Sequence, residues 1–372
     1  MYIKGIVKKD VKTKRLTERL EPGDIALINH KDLDELAAMS LAEKKVKCII
    51  NVNETISGKY PNQGPSVLVD SNIPIFEADE VLFDMLEEGQ MIEINENDII
   101  CDGIIVGQCK LLDEEKIKEL LEIGYDNLEE ELERFIENTL NYAKKEKGLV
   151  TGKISVPKTK VNLENKHVLV VVRGKDYKVD LEAIKPYIEE VKPVLIGVDG
   201  GGDALLDFGL TPDILVGDMD SVSDECLKKT QEIIVHAYPD GRAPGLERVK
   251  SLGLDAKIFP APGTSEDIAL LLAYNNKADL IVAVGTHSNM IDFLEKGRKG
   301  MASTFLVRLK VGPKLVDAKG VNKLYNSTFK LKYVIGIVIA ALIPILVITL
   351  RHPLLKDLLL LIKIRIRLLL GL

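Results

Sequence analysis

Residues 166–310 alternate short runs of Val, Ile and Leu with stretches of helical periodicity, and this alternation limits the chain to few architectures. The sequence predicts strands at His167–Val172, Val194–Val198, Ile214–Val216, Ile233–His236, Ala256–Phe259 and Leu280–Val284, and helices at Leu181–Val191, Glu247–Leu252 and Glu266–Asn275. Continuous apolar strands joined by helices indicate a parallel sheet covered on both faces. Ligands of such sheets bind beyond the carboxyl ends of the strands.

Acidic residues and glycines follow two of these strands. The sequence DGGGD occupies residues 199–203, and GDMDS occupies residues 217–221. Carboxylates suit Mg²⁺, and glycines let a phosphate approach the backbone closely. Asp199, Asp218 and Asp220 are therefore candidates to hold one hydrated Mg²⁺ against a polyphosphate. The alternative is that these residues simply end strands and start turns.

Other function classes are excluded by motif and charge. No Walker A sequence occurs and no G-x-G-x-x-G follows a strand, so a P-loop or an ordinary dinucleotide fold is not supported. The four cysteines and five histidines lack the spacing of a zinc site or a disulfide scaffold. The net charge is −7, and residues 328–372 carry seven Lys and Arg against one Asp, which leaves about −13 on residues 1–327. This acidity argues against nucleic acid as a partner.

The first half of the chain has a different pattern. Residues 1–110 show short apolar runs separated by Gly, Pro, Asn and Asp, which indicates strands with few helices. From Asp113 to Lys147 apolar residues recur at helical spacing among many Glu and Lys, which predicts an amphipathic connector broken near Gly124. Its apolar stripe would pack either on a neighbouring domain or on a second copy of the chain.

Near the carboxyl end, Tyr333–Leu350 is a run of eighteen residues without a charged side chain. At ~1.5 Å per residue the run spans ~27 Å, and the flanking Lys330, Lys332 and Arg351 can extend it toward the ~30 Å of a hydrocarbon core. The sequence therefore predicts a transmembrane helix at 328–350. The alternative is a buried core helix.

The last segment, 351–372, is basic, and Lys356, Lys363 and Arg367 share one helical face. We expect this tail to lie on the membrane surface. Basic residues flank the apolar run at both ends, so the charge distribution does not determine on which side of the membrane the tail lies. The amino terminus lacks the apolar region of a secretory signal, which predicts a cytoplasmic main body. The predicted domains are thus 1–110, β-rich; 111–150, a helical connector; 151–327, an α/β domain; 328–350, the membrane helix; and 351–372, the basic tail.

The stretch from Asp199 to Ser221 resembles the signature of the thiamine pyrophosphokinase catalytic domain. It contains an Asp-Gly-Gly turn, then Pro-Asp at 212–213, then Gly-Asp-x-Asp-Ser at 217–221. The resemblance implies an α/β domain, usually a homodimer, that binds ATP and Mg²⁺ and transfers pyrophosphate to the thiamine hydroxyl. It implies Asp218, Asp220 and Asp267 as catalytic residues, Asp199, Asp218 and Asp220 as metal ligands, and as nucleotide-binding residues Asp199, Gly200, Gly201, Gly217, Ser221 and Thr264.

Two downstream motifs depart from that family. Its Lys-Asp-x-Thr-Asp sequence is replaced by Gly-Thr-Ser-Glu-Asp at 263–267, and its Gly-Gly-Arg-x-Asp-His segment is replaced by residues 284–292. The missing lysine removes a charge that phosphoryl-type transfer uses for electrostatic stabilisation. Arg173, Lys175 and Arg242, near other predicted strand ends, are candidates to replace it.

A narrower resemblance covers nearly the whole chain. Residues 285–289 (GTHSN) and 292–319 are similar to the SteA family of bacterial cytokinetic ring proteins, which join an amino-terminal domain to a pyrophosphokinase-like domain and a carboxyl-terminal membrane segment. The resemblance implies a role in cell division with a division-apparatus partner, and a location at the bacterial cell membrane.

The amino-terminal domain resembles a known family less closely. Residues 23–28, 64–69, 72–75 and 88–95 are similar in order to the swivelling phosphohistidine domain of phosphoenolpyruvate-utilising enzymes, but NQGP at 62–65 stands where the histidine is expected. Without that nucleophile the domain cannot relay a phosphoryl group. The expected fold is therefore a swivelling-like mixed β/α domain, then a parallel-sheet pyrophosphokinase-like domain, then the membrane helix. Two functions compete: a membrane-tethered nucleotide-binding scaffold, and an active thiamine pyrophosphokinase.

Overall fold

The computed structural model describes residues 1–286, 290–295, 301–319, 321, 331–351 and 353–370. Residues 1–322 form one compact unit and residues 323–372 form a second. Parts of the SteA-like stretch, 287–289 and 296–300, lie outside the described residues. The first unit contains a closed barrel, a helical connector and a parallel sheet.

Seven strands close the amino-terminal barrel in the order β1-β2-β3-β4-β7-β6-β5. They are β1 (Tyr2–Asp10), β2 (Ile25–Ile28), β3 (Cys48–Asn51), β4 (Ile75–Ala78), β5 (Met91–Asn95), β6 (Asp98–Cys101) and β7 (Ile104–Leu111). Strands β1 to β4 are parallel, and the remaining neighbours are antiparallel. Antiparallel pairing of β1 with β5, with Ile3 opposite Ile94, closes the barrel. A closed barrel leaves no free sheet edge.

Four helices belong to the barrel domain: α1 (Thr13–Arg19), α2 (Glu35–Glu43), α3 (Gly64–Asp70) and α4 (Val81–Met85). Strand β2 is buried along its whole length because each of its two faces packs against a different apolar cluster. Ile25 and Leu27 join the apolar cluster inside the barrel, and Ala26 and Ile28 join a second cluster with residues of α1 and α2. Burial on both faces explains the continuous apolar run in the sequence.

The connector consists of α5 (Glu114–Asp126), α6 (Leu128–Glu146) and α7 (Gly148–Thr151). Its break lies at Asn127, and Gly124 instead allows close packing, because a Cβ there would lie 2.6 Å from the Tyr60 carbonyl carbon. Phe135 of α6 packs on Phe293 at a ring separation of 6.2 Å, in a cluster that also contains Tyr60. The stripe of α6 therefore contacts both neighbouring domains.

The second domain is built on seven parallel strands in the order β12-β11-β10-β9-β8-β13-β14. They are β8 (His167–Val172), β9 (Val194–Val198), β10 (Ile214–Gly217), β11 (Glu232–Ala237), β12 (Lys257–Pro260), β13 (Leu280–Val284) and β14 (Leu315–Asp317). The first six match the strands that the sequence predicts. The chain moves outward from β8 to β12 and then returns to β13 on the other side of β8, so the strand order reverses beside β8.

Helices cover both faces of this sheet: α8 (Tyr177–Ala183), α9 (Lys185–Val191), α10 (Gly201–Asp207), α11 (Asp224–Lys229), α12 (Gly245–Ser251), α13 (Ser265–Asn275), α14 (Met290–Glu295) and α15 (Ala302–Val311). Val170 of β8 faces a cluster with residues of α13 and α15, and Val171 faces one with residues of α8 and α10. This alternation buries both sides of each central strand.

Among the residues that the structure describes, three ion pairs connect the barrel to the sheet domain. Lys175 Nζ lies 2.6 Å from Glu35 Oε1, Lys178 Nζ lies 3.4 Å from Glu43 Oε1, and Lys12 Nζ lies 3.2 Å from Asp220 Oδ2. Most of these side chains are well exposed to solvent. Pairs of this kind contribute about 0–1 kcal/mol each.

The second unit contains α16 (Leu331–Arg351) and α17 (Pro353–Leu370). Among the described residues, no helix combines the length and the apolarity needed to cross a membrane. The predicted transmembrane helix at 328–350 is therefore wrong, and with it that part of the fold class and the predicted localisation at the bacterial cell membrane. The prediction rests on the absence of charge over an eighteen-residue run, and a run of that length is at the short end of those that span a membrane.

Candidate functional site

Asp199 and Asp218 lie side by side at the carboxyl edge of the sheet. Val198 of β9 is in register with Val216 of β10, so the residues that follow the two strands are neighbours. The Asp199 amide donates a hydrogen bond of 3.0 Å to the Val216 carbonyl. The structure thus brings together two of the acids that the sequence singles out, in the place where parallel sheets bind ligands.

The carboxyl group of Asp199 lies in an unfavourable place for a negative charge. Burial, together with the charge of Asp218, raises the pKa of Asp199 from 3.8 to about 7. The Met219 amide donates to Asp199 Oδ1 at 3.2 Å, and Lys14 and Ser265 also favour the ionised form. Desolvation and a like charge outweigh these donors. Near neutral pH, the pair therefore favours a bound proton or a bound cation.

The predicted nucleotide-binding glycines have distinct surroundings. A Cβ on Gly217 would lie 1.8 Å from Asp199 Oδ1, and a Cβ on Gly201 would lie 2.0 Å from the Val171 carbonyl oxygen. Gly217 therefore makes room for the Asp199 carboxylate, and Gly201 lets α10 start directly against β8. Gly200 borders Arg173, whose Nη1 would lie 3.5 Å from an added Cβ. Nucleotide binding by all three stays a prediction.

Asp220 is directed away from the other two acids. Its side chain pairs with Lys12 of the barrel domain, and its amide donates to Asp218 Oδ1 at 3.0 Å. Between them, Met219 is buried and has a positive φ of 65°, which turns the backbone. Within the part of the chain that the structure describes, no three His, Cys, Asp or Glu side chains are grouped as a metal site.

Arg248 of α12 holds the loop that follows β10, a role that no sequence pattern indicated. Its guanidinium donates to the carbonyl of Met219, to the Val222 carbonyl at 2.8 Å and to Asp224 Oδ1 at 2.6 Å. The Ser223 amide in turn donates to Asp203 Oδ2 at 2.9 Å. The predicted residue Ser221 lies in this loop, so Arg248 fixes the position of its backbone.

Thr264 and Asp267 cap the first turn of α13. The Asp267 amide donates to Thr264 Oγ1 at 3.0 Å, and the Thr264 amide donates to Asp267 Oδ2 at 3.1 Å. Asp267 is fully buried, and Thr304 donates to Asp267 Oδ2 at 3.2 Å. Burial and the charge of Glu266 raise the pKa of Asp267. This capping box fixes the start of α13, while the predicted catalytic role of Asp267 stays a prediction.

Two further residues near the acids were not predicted. Ser265, the first residue of α13, favours the ionised form of Asp199 by a hydrogen bond and lies with its Oγ 3.3 Å from His236 Nδ1. His236 Nε2 lies 3.1 Å from the Ala261 carbonyl. Burial lowers the pKa of His236, so the imidazole is neutral at pH 7. His236 reaches the site because β11 packs beside β10, and Ser265 reaches it at the start of α13.

A cleft of about 870 Å³ opens beside the loop after β10, between the barrel and the sheet domain. Its lining comes from both domains: Asp10, Arg15, Glu18, Arg19, Arg173, Asp203, Asp220, Ser221, Val222, Ser223, Asp224 and Arg248. Of the three cations suggested from the sequence, Arg173 lines this cleft. Lys175 pairs with Glu35 at 2.6 Å, and Arg242 pairs with Asp240 at 2.7 Å.

Residues 319–370 match the family model of the SteA-like C-terminal domain. The chain is also 30% identical over 151 residues to 6-hydroxymethyl-7,8-dihydropterin pyrophosphokinase of Methanocaldococcus jannaschii. That match covers 36% of this chain and 63% of the archaeal enzyme, so the chain spans less than two thirds of that relative's length.

Two solved structures have weaker similarity. Thiamine pyrophosphokinase from Bacillus subtilis is 22% identical, with 41% of this chain and 60% of that chain covered and a TM-score of 0.26. A 3-isopropylmalate dehydratase chain (leuD) from Methanocaldococcus jannaschii is 15% identical, with 39% and 99% covered and a TM-score of 0.23. This chain therefore carries a SteA-like C-terminal domain at residues 319–370, together with weak similarity to pyrophosphokinases, as its motifs predict.

Proposed function

We propose that this chain binds a nucleoside triphosphate together with Mg²⁺ at the carboxyl edge of its parallel sheet. One observation carries the proposal: Asp199 and Asp218 follow neighbouring parallel strands at the edge where such sheets bind ligands. Burial and the charge of Asp218 raise the pKa of Asp199 to about 7, in agreement with a cation site. A divalent cation at this pair would allow both carboxylates to stay ionised. Similarity to an archaeal pyrophosphokinase supports a polyphosphate as the ligand.

The donors at this edge fit Mg²⁺. The ion prefers carboxylate and phosphate oxygens and retains several waters, so Asp199 and Asp218 suffice as its protein ligands. Asp220 would join them only by leaving Lys12, which lies 3.2 Å away. When bound, Mg²⁺ would neutralise negative charge on the phosphates. The chain's own residues would orient the ligand, with Arg173, Gly200 and Ser221 beside the phosphates.

Replacement of Asp218 by Asn tests this site. The amide keeps the shape of the carboxylate and removes its charge, so Mg²⁺-dependent affinity for ATP should fall about 10-fold to 100-fold. The measurement is isothermal titration calorimetry of ATP with Mg²⁺ and with EDTA. Asp207→Asn, on an exposed residue of α10, is the matched control and should bind like the unaltered chain. Equal affinity of Asp218→Asn and Asp207→Asn would rule out the proposed site.

Thiamine is the weaker candidate as a substrate. The lysine of the pyrophosphokinase motif is absent from residues 263–267, and Asp267 of that segment is buried in a helix cap. We therefore expect little or no thiamine diphosphate from ATP and thiamine. Release of AMP measures the reaction directly. Turnover on the order of 1 s⁻¹ or faster, the low end of ordinary enzymes, would instead favour an active pyrophosphokinase.

We further propose the bacterial division apparatus as the place where this nucleotide binding is used. The match of residues 319–370 to the SteA-like C-terminal domain supports this assignment. The partner in that apparatus would be another protein, and the nucleotide would act as a bound ligand whose presence or absence the partner distinguishes. This role requires binding at the sheet edge and does not require turnover.

A further inference from the structure

The cleft beside the proposed nucleotide site has one wall that belongs to the barrel domain. Arg15 and Arg19 of α1 line it together with Asp10 and Glu18, opposite the residues that follow β8 and β10. Lys12, just before α1, reaches the loop after β10 and pairs with Asp220 at 3.2 Å. Helix α1 therefore lies against the edge of the sheet where the acids stand.

Most of the charged side chains in this cleft have an ion-pair or hydrogen-bond partner in the protein. Arg19 pairs with Asp10 at 2.9 Å and with Glu88. Arg248 pairs with Asp224 at 2.6 Å, and Asp203 accepts from the Ser223 amide. These contacts engage Asp10, Asp203 and Asp224, and Lys12 engages Asp220, while the fifth acidic side chain of the lining, Glu18, interacts electrostatically with Lys14.

Two guanidinium groups are left over. Among the described residues, Arg15 and Arg173 have no acidic partner within ion-pair distance, although both line the cleft. Arg173 Nε is buried and has no hydrogen-bond partner. A buried donor without a partner is costly, and a phosphate oxygen would satisfy it. The two groups come from opposite domains, so an anion between them would contact both.

Lys14 of α1 completes the arrangement. It is an exposed residue that interacts electrostatically with Asp199, Asp218, Arg173 and Glu18, and desolvation lowers its pKa. It directly precedes Arg15, which lines the cleft. The sheet domain itself lacks the lysine that the pyrophosphokinase motif carries before its helix.

We propose that the barrel domain supplies phosphate-binding positive charge to this site, with Arg15 of α1 binding a polyphosphate that Arg173 holds from the sheet side, and Lys14 of the same helix adding charge next to it. This inference rests on the proposed nucleotide function and adds the source of its missing charge. Arg15 and Arg173 can each donate two hydrogen bonds to a phosphate, while Lys14 acts as a compact charge next to the acids. The binding site is then incomplete without the barrel.

The test is a Lys14→Met/Arg15→Ala double variant of the full chain, compared with Lys144→Met/Lys145→Met. The control removes the same charge from exposed lysines at the end of α6. Calorimetric titration uses two probes, Mg²⁺ with a non-hydrolysable ATP analogue and Mg²⁺ with inorganic tripolyphosphate. We expect the first variant to bind both probes about 10-fold to 100-fold more weakly, and the control to bind like the unaltered chain. Circular dichroism melting checks that both variants are folded.

The outcomes separate this inference from the proposed function. Normal affinity in Lys14→Met/Arg15→Ala would overturn the role of the barrel and leave nucleotide binding standing. Binding of tripolyphosphate that depends on α1, with no binding of the nucleotide analogue, would support the barrel's role and overturn the proposal that the ligand is a nucleotide. If the unaltered chain binds neither probe, both proposals fail.

Discussion

Asp199→Asn should stabilise the ligand-free protein, and the gain should grow as the pH rises. The pKa of Asp199 in the folded protein, about 7, lies above its ordinary value of 3.8. At pH values between these two, the folded state therefore retains a proton that the unfolded state has released. The stability of the unaltered chain therefore falls as the pH rises through this window, by up to about 4 kcal/mol in total. Asn carries no charge and removes this dependence.

Urea unfolding followed by circular dichroism in EDTA measures the effect. The difference in unfolding free energy between Asp199→Asn and the unaltered chain should increase by about 3 kcal/mol from pH 5 to pH 9. Asp207→Asn, on the exposed surface of α10, should show no such increase. Parallel pH dependence in all three proteins would mean that Asp199 is ionised in the fold at low cost, contrary to the electrostatics of the site.

Gly201→Ala should destabilise the sheet domain by about 3 kcal/mol. An added Cβ would lie 2.0 Å from the carbonyl oxygen and 2.8 Å from the carbonyl carbon of Val171. Both atoms are backbone atoms of β8, which is paired on both sides by β9 and β13, so neither can move without disturbing the sheet. Gly312→Ala is the matched control, because an added Cβ there meets nothing within 4 Å.

Thermal and urea unfolding of the two glycine variants should therefore differ clearly. Gly312→Ala should stay within about 0.5 kcal/mol of the unaltered chain, as an ordinary surface substitution does. A Gly201→Ala protein as stable as that control would show that α10 can shift away from β8, and that the glycine serves another purpose.

Most of the sheet could be predicted from sequence because its central strands are buried on both faces. Each central strand appears as a continuous apolar run, such as Val194–Val198, whose meaning does not depend on distant residues. The short edge strand β14, which is only partly buried, was not predicted. Closure of the barrel could not be predicted in this way. It depends on pairing β1 with β5, which places Tyr2 opposite Asn95, and no local pattern encodes that contact.

The candidate site likewise contains residues that could be identified from the sequence and residues that could not. Asp199 and Asp218 could be identified because each directly follows a strand, so local sequence fixes both the residue and its position. Lys14 and Arg248 could not, because they reach the site from other elements through tertiary packing. The error at Tyr333–Leu350 has another origin, since a lack of charge in a run of marginal length does not by itself establish a membrane span.

The exposed ion pairs between the barrel and the sheet domain make this contact sensitive to salt. Lys175–Glu35, Lys178–Glu43 and Lys12–Asp220 are individually weak and are screened by salt. A polyphosphate held by cations of both domains, as proposed above, would add a further contact across the cleft. Bound ligand should then offset part of the loosening that high salt causes between the two domains.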